Sequence, residues 1–152
     1  MPLEKYRKKR DFQKTSEPPG EATHEPAGRL AYVIQKHQAT RLHWDLRLER
    51  DGVLKSWAVP KEPPTKAGER RLAVEVEDHP LEYGSFAGEI PAGGYGAGTV
   101  EIWDRGHFVP MEWEENAIVI EIHGEKLEGT YCLIRFQPDK DPKNWLFFKK
   151  KS

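Results

Sequence analysis

The sequence predicts an all-β fold: a single-domain antiparallel β-barrel of about eight strands, with an irregular N-terminal arm and little helix. Three observations carry that expectation. From Arg29 onward, short alternating or apolar runs recur, each closed by turn residues. Asp51-Gly52 stands between two of these runs and is a two-residue hairpin signature. Helical 3.6-residue periodicity is nowhere sustained beyond a turn or two. A chain of 152 residues fits one domain and is long enough to bury its own core.

Residues 1–28 form a basic, Pro-rich arm expected to pack on the barrel. Its second half, TSEPPGEATHEPAG, holds three prolines and two glycines without periodicity. Residues 29–152 form the barrel. Strands are expected at 30–37, 42–50, 53–59 and 71–77, then at 98–103, 117–123, 129–136 and 144–149. Pro60, Pro63 and Pro64 close the third run, and Pro80 and Pro91 bracket a long loop. The cluster Gly93-Gly94-Tyr95-Gly96-Ala97-Gly98 has the composition of a phosphate loop. It leads into a strand pattern, Thr99–Trp103, and no lysine takes the Walker position, so it reads as a tight turn or bulge.

Several classes are set aside by composition. No apolar run approaches the ~20 residues a membrane helix needs. The N-terminus, MPLEKYRKKRDFQK, has no apolar stretch behind its charges, so no signal peptide and a cytoplasmic, nucleoid location are expected. The single cysteine, Cys132, excludes a disulfide framework and a Cys-based zinc site.

Net charge is −1, which does not suggest nucleic-acid binding, but its distribution is uneven. Residues 1–14 hold six basic and two acidic side chains, and residues 139–152 hold five and two. The body between carries 13 basic against 21 acidic. Basic ends can grip phosphates locally, because binding follows clustered Lys and Arg rather than the total. Lys8, Lys9, Lys149 and Lys150 are the candidates for DNA contact. The same pattern also suits merely solvated termini.

The chemistry concentrates in Leu42-His43-Trp44-Asp45-Leu46-Arg47-Leu48-Glu49. In a strand, alternate side chains face opposite ways, so Leu42, Trp44, Leu46 and Leu48 form the core row. His43, Asp45, Arg47 and Glu49 then share the other face. His37 lies on the preceding strand if 38–41 makes the turn, which brings it beside His43 and Asp45. Two imidazoles and a carboxylate from adjacent strands make a divalent-metal site with positions open to water or substrate. Arg47, one step along the same face, sits where a metal-bound anion needs a second positive partner. The spacing fits equally a cross-strand His–Asp hydrogen bond beside a surface arginine. His79, before Pro80 at a strand exit, has the place of a side chain that binds phosphate or donates a proton, and equally that of a structural histidine. His24, His107 and His123 have no such neighbours.

These residues carry a family resemblance. The sequence closely resembles the 3′-phosphoesterase domain of bacterial ATP-dependent DNA ligase D, over nearly its whole length and as a stand-alone chain. The match runs through Arg10-Asp11-Phe12, Glu17-Pro18, Gln35-Lys36-His37, the 42–49 strand and Gly52–Lys61. It continues through Val76–Tyr83, Ile90-Pro91, Gly94–Val100, Trp103-Asp104, Trp145-Leu146 and Lys149-Lys150. The resemblance implies a β-barrel enzyme that heals DNA 3′ ends with Mn2+, trimming a 3′-terminal ribonucleotide and then removing the 3′-phosphate to leave a ligatable 3′-OH. It implies His37, His43 and Asp45 as metal ligands, and Arg47 and His79 on the scissile phosphate with Tyr83 close by. Arg10, Asp11, Glu17, Gln35 and Glu77 would support them. The donor set also suits Zn2+, Co2+ or Fe2+. The KxDG nucleotidyl-transfer motif of ligases is absent, so the product would pass to a separate DNA ligase, with a repair polymerase or Ku as further partners and the chain itself a monomer.

Two other readings compete. His43-x-Asp45 with distant His123 and Arg135 mimics the metal triad of a non-haem Fe(II) oxygenase, and His37 is the discriminator, a ligand in one reading and idle in the other. A DNA-end-binding adaptor without turnover is the non-enzymatic alternative.

Overall fold

The computed structural model describes residues 30–90, 98–136 and 139–151. The arm expected over 1–28, with Lys8, Lys9, Arg10, Asp11 and Glu17, lies outside the described residues, as does most of the glycine cluster. The strands are β1 (Leu30–Gln38), β2 (Leu42–Arg50), β3 (Val53–Val59), β4 (Arg70–His79), β5 (Gly88–Ile90), β6 (Gly98–Trp113), β7 (Ala117–Gly124), β8 (Glu128–Arg135) and β9 (Asn144–Lys149). A short 3-10 segment, Leu81–Ser85, comes after β4. Around the sheet the order is β1-β2-β3-β4-β9-β8-β7-β6, and β6 pairs back onto β1. Eight antiparallel strands therefore close a barrel, and β5 flanks the start of β6 as a ninth. Closure removes the open edges that would otherwise invite pairing with other chains. Among the described residues no helix is long and apolar enough to cross a membrane.

The β2–β3 hairpin turns at Asp51-Gly52, with φ of 54° and 82°. Both values are positive, as the tight turn that matches strand twist requires, and glycine meets that demand without steric cost. Alternation then fills the barrel from each strand: Tyr32, Leu46, Trp57, Phe108, Ile120 and Phe147 are among the side chains inside. Trp44, Leu46 and Leu48 are buried as the alternation predicts. Leu42 is not, being 43% exposed. It opens β2 opposite Gln38 at the hairpin end, where no further strand covers it. A second apolar cluster, Leu54, Tyr83, Phe86, Ile90 and Val100, forms where the 3-10 segment and β5 lie over the outward face of the sheet.

Three elements depart from the sequence expectation. β6 runs to Trp113 rather than ending at 103, because neither Gly106 nor Pro110 breaks it. A Cβ on Gly106 would lie 2.0 Å from the His123 carbonyl oxygen, so glycine is there for close strand approach. Pro110 stands beside a bulge, where the register with β7 shifts between Pro110 and Glu112 and a missing N–H is tolerated. The loop expected between Pro80 and Pro91 contains the 3-10 segment and β5. β4 extends to His79, two residues past the expected end.

Asp104 ties β6 to β1 and to the turn between β7 and β8. Its buried carboxylate accepts from Tyr32 Oη at 2.8 Å and from the backbone N–H groups of Glu125, Lys126 and Leu127 at 2.9–3.0 Å. Asp104→Ala strands these donors, so a loss of about 3 kcal/mol or more is expected, at 1–3 kcal/mol for each buried group left unsatisfied. Urea unfolding reads this directly, and a midpoint equal to wild type would remove Asp104 from the structural account.

Candidate active site

The β1–β2 hairpin sets His37 directly opposite His43 and Gln35 opposite Asp45. All of these face outward because the alternate residues fill the barrel. The two imidazole centroids are 4.8 Å apart. His37 Nδ1 lies 3.6 Å from Asp45 Oδ2, and His43 Nε2 lies 3.2 Å from Asp45 Oδ1. One ligand atom from each of His37, His43 and Asp45 lies within 4.8 Å of the others, close enough to share one cation. His43 Nδ1 donates to the Arg41 carbonyl at 3.2 Å, which fixes the ring and turns Nε2 toward Asp45.

Charge balances within this group. Burial by itself pushes the Asp45 carboxyl up, but the Arg47 charge and the hydrogen bonds from His37 and His43 hold it well below the usual carboxylate range. Burial also works against a charged His43, yet the hydrogen bond and the charge of Asp45 raise that histidine above its ordinary value. The carboxylate is thus ionised at any working pH, and ready to face a cation.

Arg47 is 3% exposed and gripped from several sides. Its Nε donates to Gln35 Oε1, Nη1 donates to Ser56 Oγ at 2.8 Å, and Nη2 lies 3.5 Å from Asp45 Oδ2. Its guanidinium stands over the Tyr83 ring at 4.7 Å. Gln35 also donates to the carbonyls of Tyr83 and Phe86, at 2.7 and 3.0 Å, which ties the 3-10 segment to the strand beneath.

His79 reaches the same place through a bulge. Leu54 pairs with His79 and Ser56 with Val76, so β4 carries one residue more than β3 over this stretch. Strict alternation from Ala73 and Glu75, the latter bonded to the core Trp145, would aim His79 into the barrel. The extra residue reverses that parity and turns it outward. Its Nδ1 donates to the Glu77 carbonyl at 2.9 Å, and its ring meets Tyr83 edge-on at 4.8 Å. Lys55 pairs with Asp78 at 3.0 Å across the bulge.

His37, His43, Asp45, Arg47, Glu77, His79 and Tyr83 line one cleft of about 330 Å3, with Ala58, Val76 and Ile90 as its apolar side. Lys149 and Lys150 do not line it; Lys149 ends β9, on the other side of β4. His123 stays apart as well: it stacks on His107 at 4.8 Å and its Nε2 lies 2.6 Å from Glu121. The metal-capable group takes in His37 and leaves His123 out, against the Fe(II)-oxygenase arrangement. Sequence reasoning missed Ser56. Its only signal was a small polar residue in a strand that is apolar apart from Lys55, directly opposite Arg47.

Comparison with known proteins agrees with the geometry. The DNA ligase D 3′-phosphoesterase domain profile matches residues 35–135. The chain is 47% identical over 156 residues to the multifunctional non-homologous end joining protein LigD of Pseudomonas aeruginosa, covering 99% of this chain and 19% of that protein. It is 46% identical over 160 residues to the protein of the same name from Mycolicibacterium smegmatis, covering 98% and 20%, and 44% identical over 154 residues to that of Mycobacterium bovis, covering 99% and 20%. The chain thus spans about a fifth of the length of these relatives. The matched region contains every cleft residue, from His37 to Ile90, and by the profile match and these identities the chain belongs to the DNA ligase D 3′-phosphoesterase domain family.

Proposed function

We propose that the protein is a metal-dependent phosphoesterase that heals DNA 3′ ends for non-homologous end joining, removing a 3′-terminal ribonucleoside and then the 3′-phosphate. The observation that carries this reading is the single cleft in which a two-histidine, one-carboxylate group adjoins a buried arginine and a histidine. His37, His43 and Asp45 would hold the metal, and the donor set fits Mn2+ as well as Zn2+ or Co2+. Bound there, such a cation supplies Lewis-acid stabilisation of phosphoryl charge and lowers the pKa of water.

The chain's own residues do the rest. Arg47 holds phosphate oxygens in a fork preset by Gln35 and Ser56. His79 has its Nδ1–H committed to the Glu77 carbonyl, so the proton given to the leaving oxygen comes from Nε2 of the imidazolium form, which leaves the ring neutral with Nδ1–H still bonded. Tyr83 lies between His79, which it meets edge-on, and the Arg47 guanidinium over its face, and holds both side chains in place. Glu77, with Arg10, Asp11 and Glu17 of the proposed 1–28 arm, supports the ribonuclease step, in which the terminal 2′-OH distinguishes RNA from DNA. The partners are primer–template 3′ ends and a DNA ligase, with a repair polymerase or Ku alongside, and the protein acts as a cytoplasmic monomer.

The test is incubation of a primer–template bearing a 3′-phosphate, or one 3′-ribonucleotide, with the protein and Mn2+, read on a gel. Conversion of both ends to 3′-OH is expected. Tight binding of either end with no conversion would overturn catalysis and leave an end-binding adaptor.

The C-terminal lysines are proposed to add sequence-independent affinity. Replacing Lys149, Lys150 and Lys151 by glutamine keeps the backbone bond from Lys150 to the Thr130 carbonyl and removes only charge. Binding should weaken equally for all duplex sequences, and the log–log salt slope should become shallower by about 0.9 per lost phosphate contact. An unchanged slope would make these lysines ordinary solvated charge.

A further inference from the structure

We infer that Ser56 is a positioning residue that turns the Arg47 guanidinium toward a bound phosphate, an inference that rests on the phosphoesterase reading of the cleft. Arginine carries five N–H groups and no acceptor. In Arg47 the Nε–H goes to Gln35, one Nη1–H goes to Ser56, and Nη2 faces Asp45. Among the described residues that leaves one N–H on each terminal nitrogen, the pair a planar fork needs to grip two oxygens of one phosphate.

Ser56 decides whether that pair stays available. Asp45 attracts the guanidinium from the Nη2 side at 3.5 Å, while Ser56 Oγ holds Nη1 at 2.8 Å. Without the hydroxyl, Gln35 at Nε is the remaining described partner set against the carboxylate, and the terminal nitrogens swing toward Asp45. The hydroxyl itself is fixed. It is 1% exposed, directly opposite Arg47 in register, and donates its own proton to the Leu54 carbonyl at 3.0 Å, so a lone pair is kept aimed at Nη1. A serine needed only to fill space would have no use for this orientation. It also adjoins the bulge that delivers His79, since its β4 partner is Val76.

The experiment compares Ser56→Thr with Ser56→Val, which match in shape and differ in the hydroxyl. The metal-free protein is titrated with inorganic phosphate, following backbone amide resonances of the cleft strands by 15N NMR in every variant and the Arg47 Nε–H resonance wherever Arg47 is present, and Mn2+ affinity is measured separately by calorimetry. Ser56→Val should weaken phosphate about tenfold, the scale of one hydrogen bond to a charged group, while Ser56→Thr stays close to wild type. Mn2+ affinity should be unchanged in both, and in an Arg47→Ala background Ser56→Val should cost nothing further. Equal phosphate affinity of the two variants overturns the inference. So does a further loss in the Arg47→Ala background, or a wild type whose Arg47 resonance ignores phosphate. If the Thr/Val contrast appears but 3′-phosphate ends are left intact, Ser56 keeps its role and the phosphoesterase reading falls instead.

Discussion

Alanine at His37, His43 or Asp45 is expected to abolish metal binding and both end-healing reactions. Each residue contributes one of three atoms that lie within 4.8 Å, and a site with three protein ligands has none to spare. Mn2+ affinity should fall by more than about a hundredfold, above the range for losing an outer partner of a ligand. The three variants should differ in stability. Asp45→Ala also strips the buried Arg47 of its counter-charge, and the metal-free protein should lose about 3 kcal/mol, the low end for a broken buried pair, because Gln35 and Ser56 still hold the guanidinium. His37→Ala removes no such counter-charge and should unfold nearer to wild type. Imidazole ligands must be neutral to bind, and Asp45 raises His43, so affinity should begin to fall above the ordinary histidine value of about 6.5 as pH drops. Calorimetric Mn2+ titration decides the matter: a His37→Ala protein that binds as tightly as wild type would remove His37 from the ligand set, and with it the β1–β2 hairpin as the frame of the site.

The part of this site legible in the sequence is the part governed by alternation within one hairpin. Trp44, Leu46 and Leu48 announce a core row, which forces Asp45 and Arg47 outward, and a turn at 38–41 brings His37 across. The rest depends on departures from alternation. His79 faces the cleft only because β4 carries an extra residue, and nothing in Val76-Glu77-Asp78 marks that bulge. Gln35 joins Arg47 to the 3-10 segment through carbonyls of residues 83 and 86, a link of backbone atoms that no side-chain pattern records. Gly106 and Pro110 look like strand breaks until the neighbouring strands show one to be a close approach and the other a bulge partner. The arm residues Arg10, Asp11 and Glu17, taken from family resemblance, lie outside the described residues.

Arg47→Lys should behave almost as badly as Arg47→Ala on a 3′-phosphate substrate. The position is one of positive charge in both the wild type and the lysine variant, so charge alone predicts substitution without loss. Geometry predicts otherwise. The guanidinium meets Gln35 through Nε, Ser56 through Nη1 and Asp45 through Nη2, three partners in three directions fixed by one plane. An ammonium concentrates its donors on one atom and cannot span them; drawn to the Asp45 carboxylate, it leaves Gln35 Oε1 and Ser56 Oγ without their buried donor. It also loses the flat face that stacks on Tyr83 at 4.7 Å. A loss of phosphate grip worth two hydrogen bonds to a charged group corresponds to about 3 kcal/mol or more, roughly a hundredfold or greater in kcat/KM. Mn2+ binding should survive in Arg47→Lys, because the three ligand atoms are untouched and the lysine still balances Asp45. Parallel rate and metal titrations therefore separate the phosphate clamp from the metal site: near wild-type turnover in Arg47→Lys would reduce Arg47 to a counter-charge for Asp45 and move the phosphate clamp to His79.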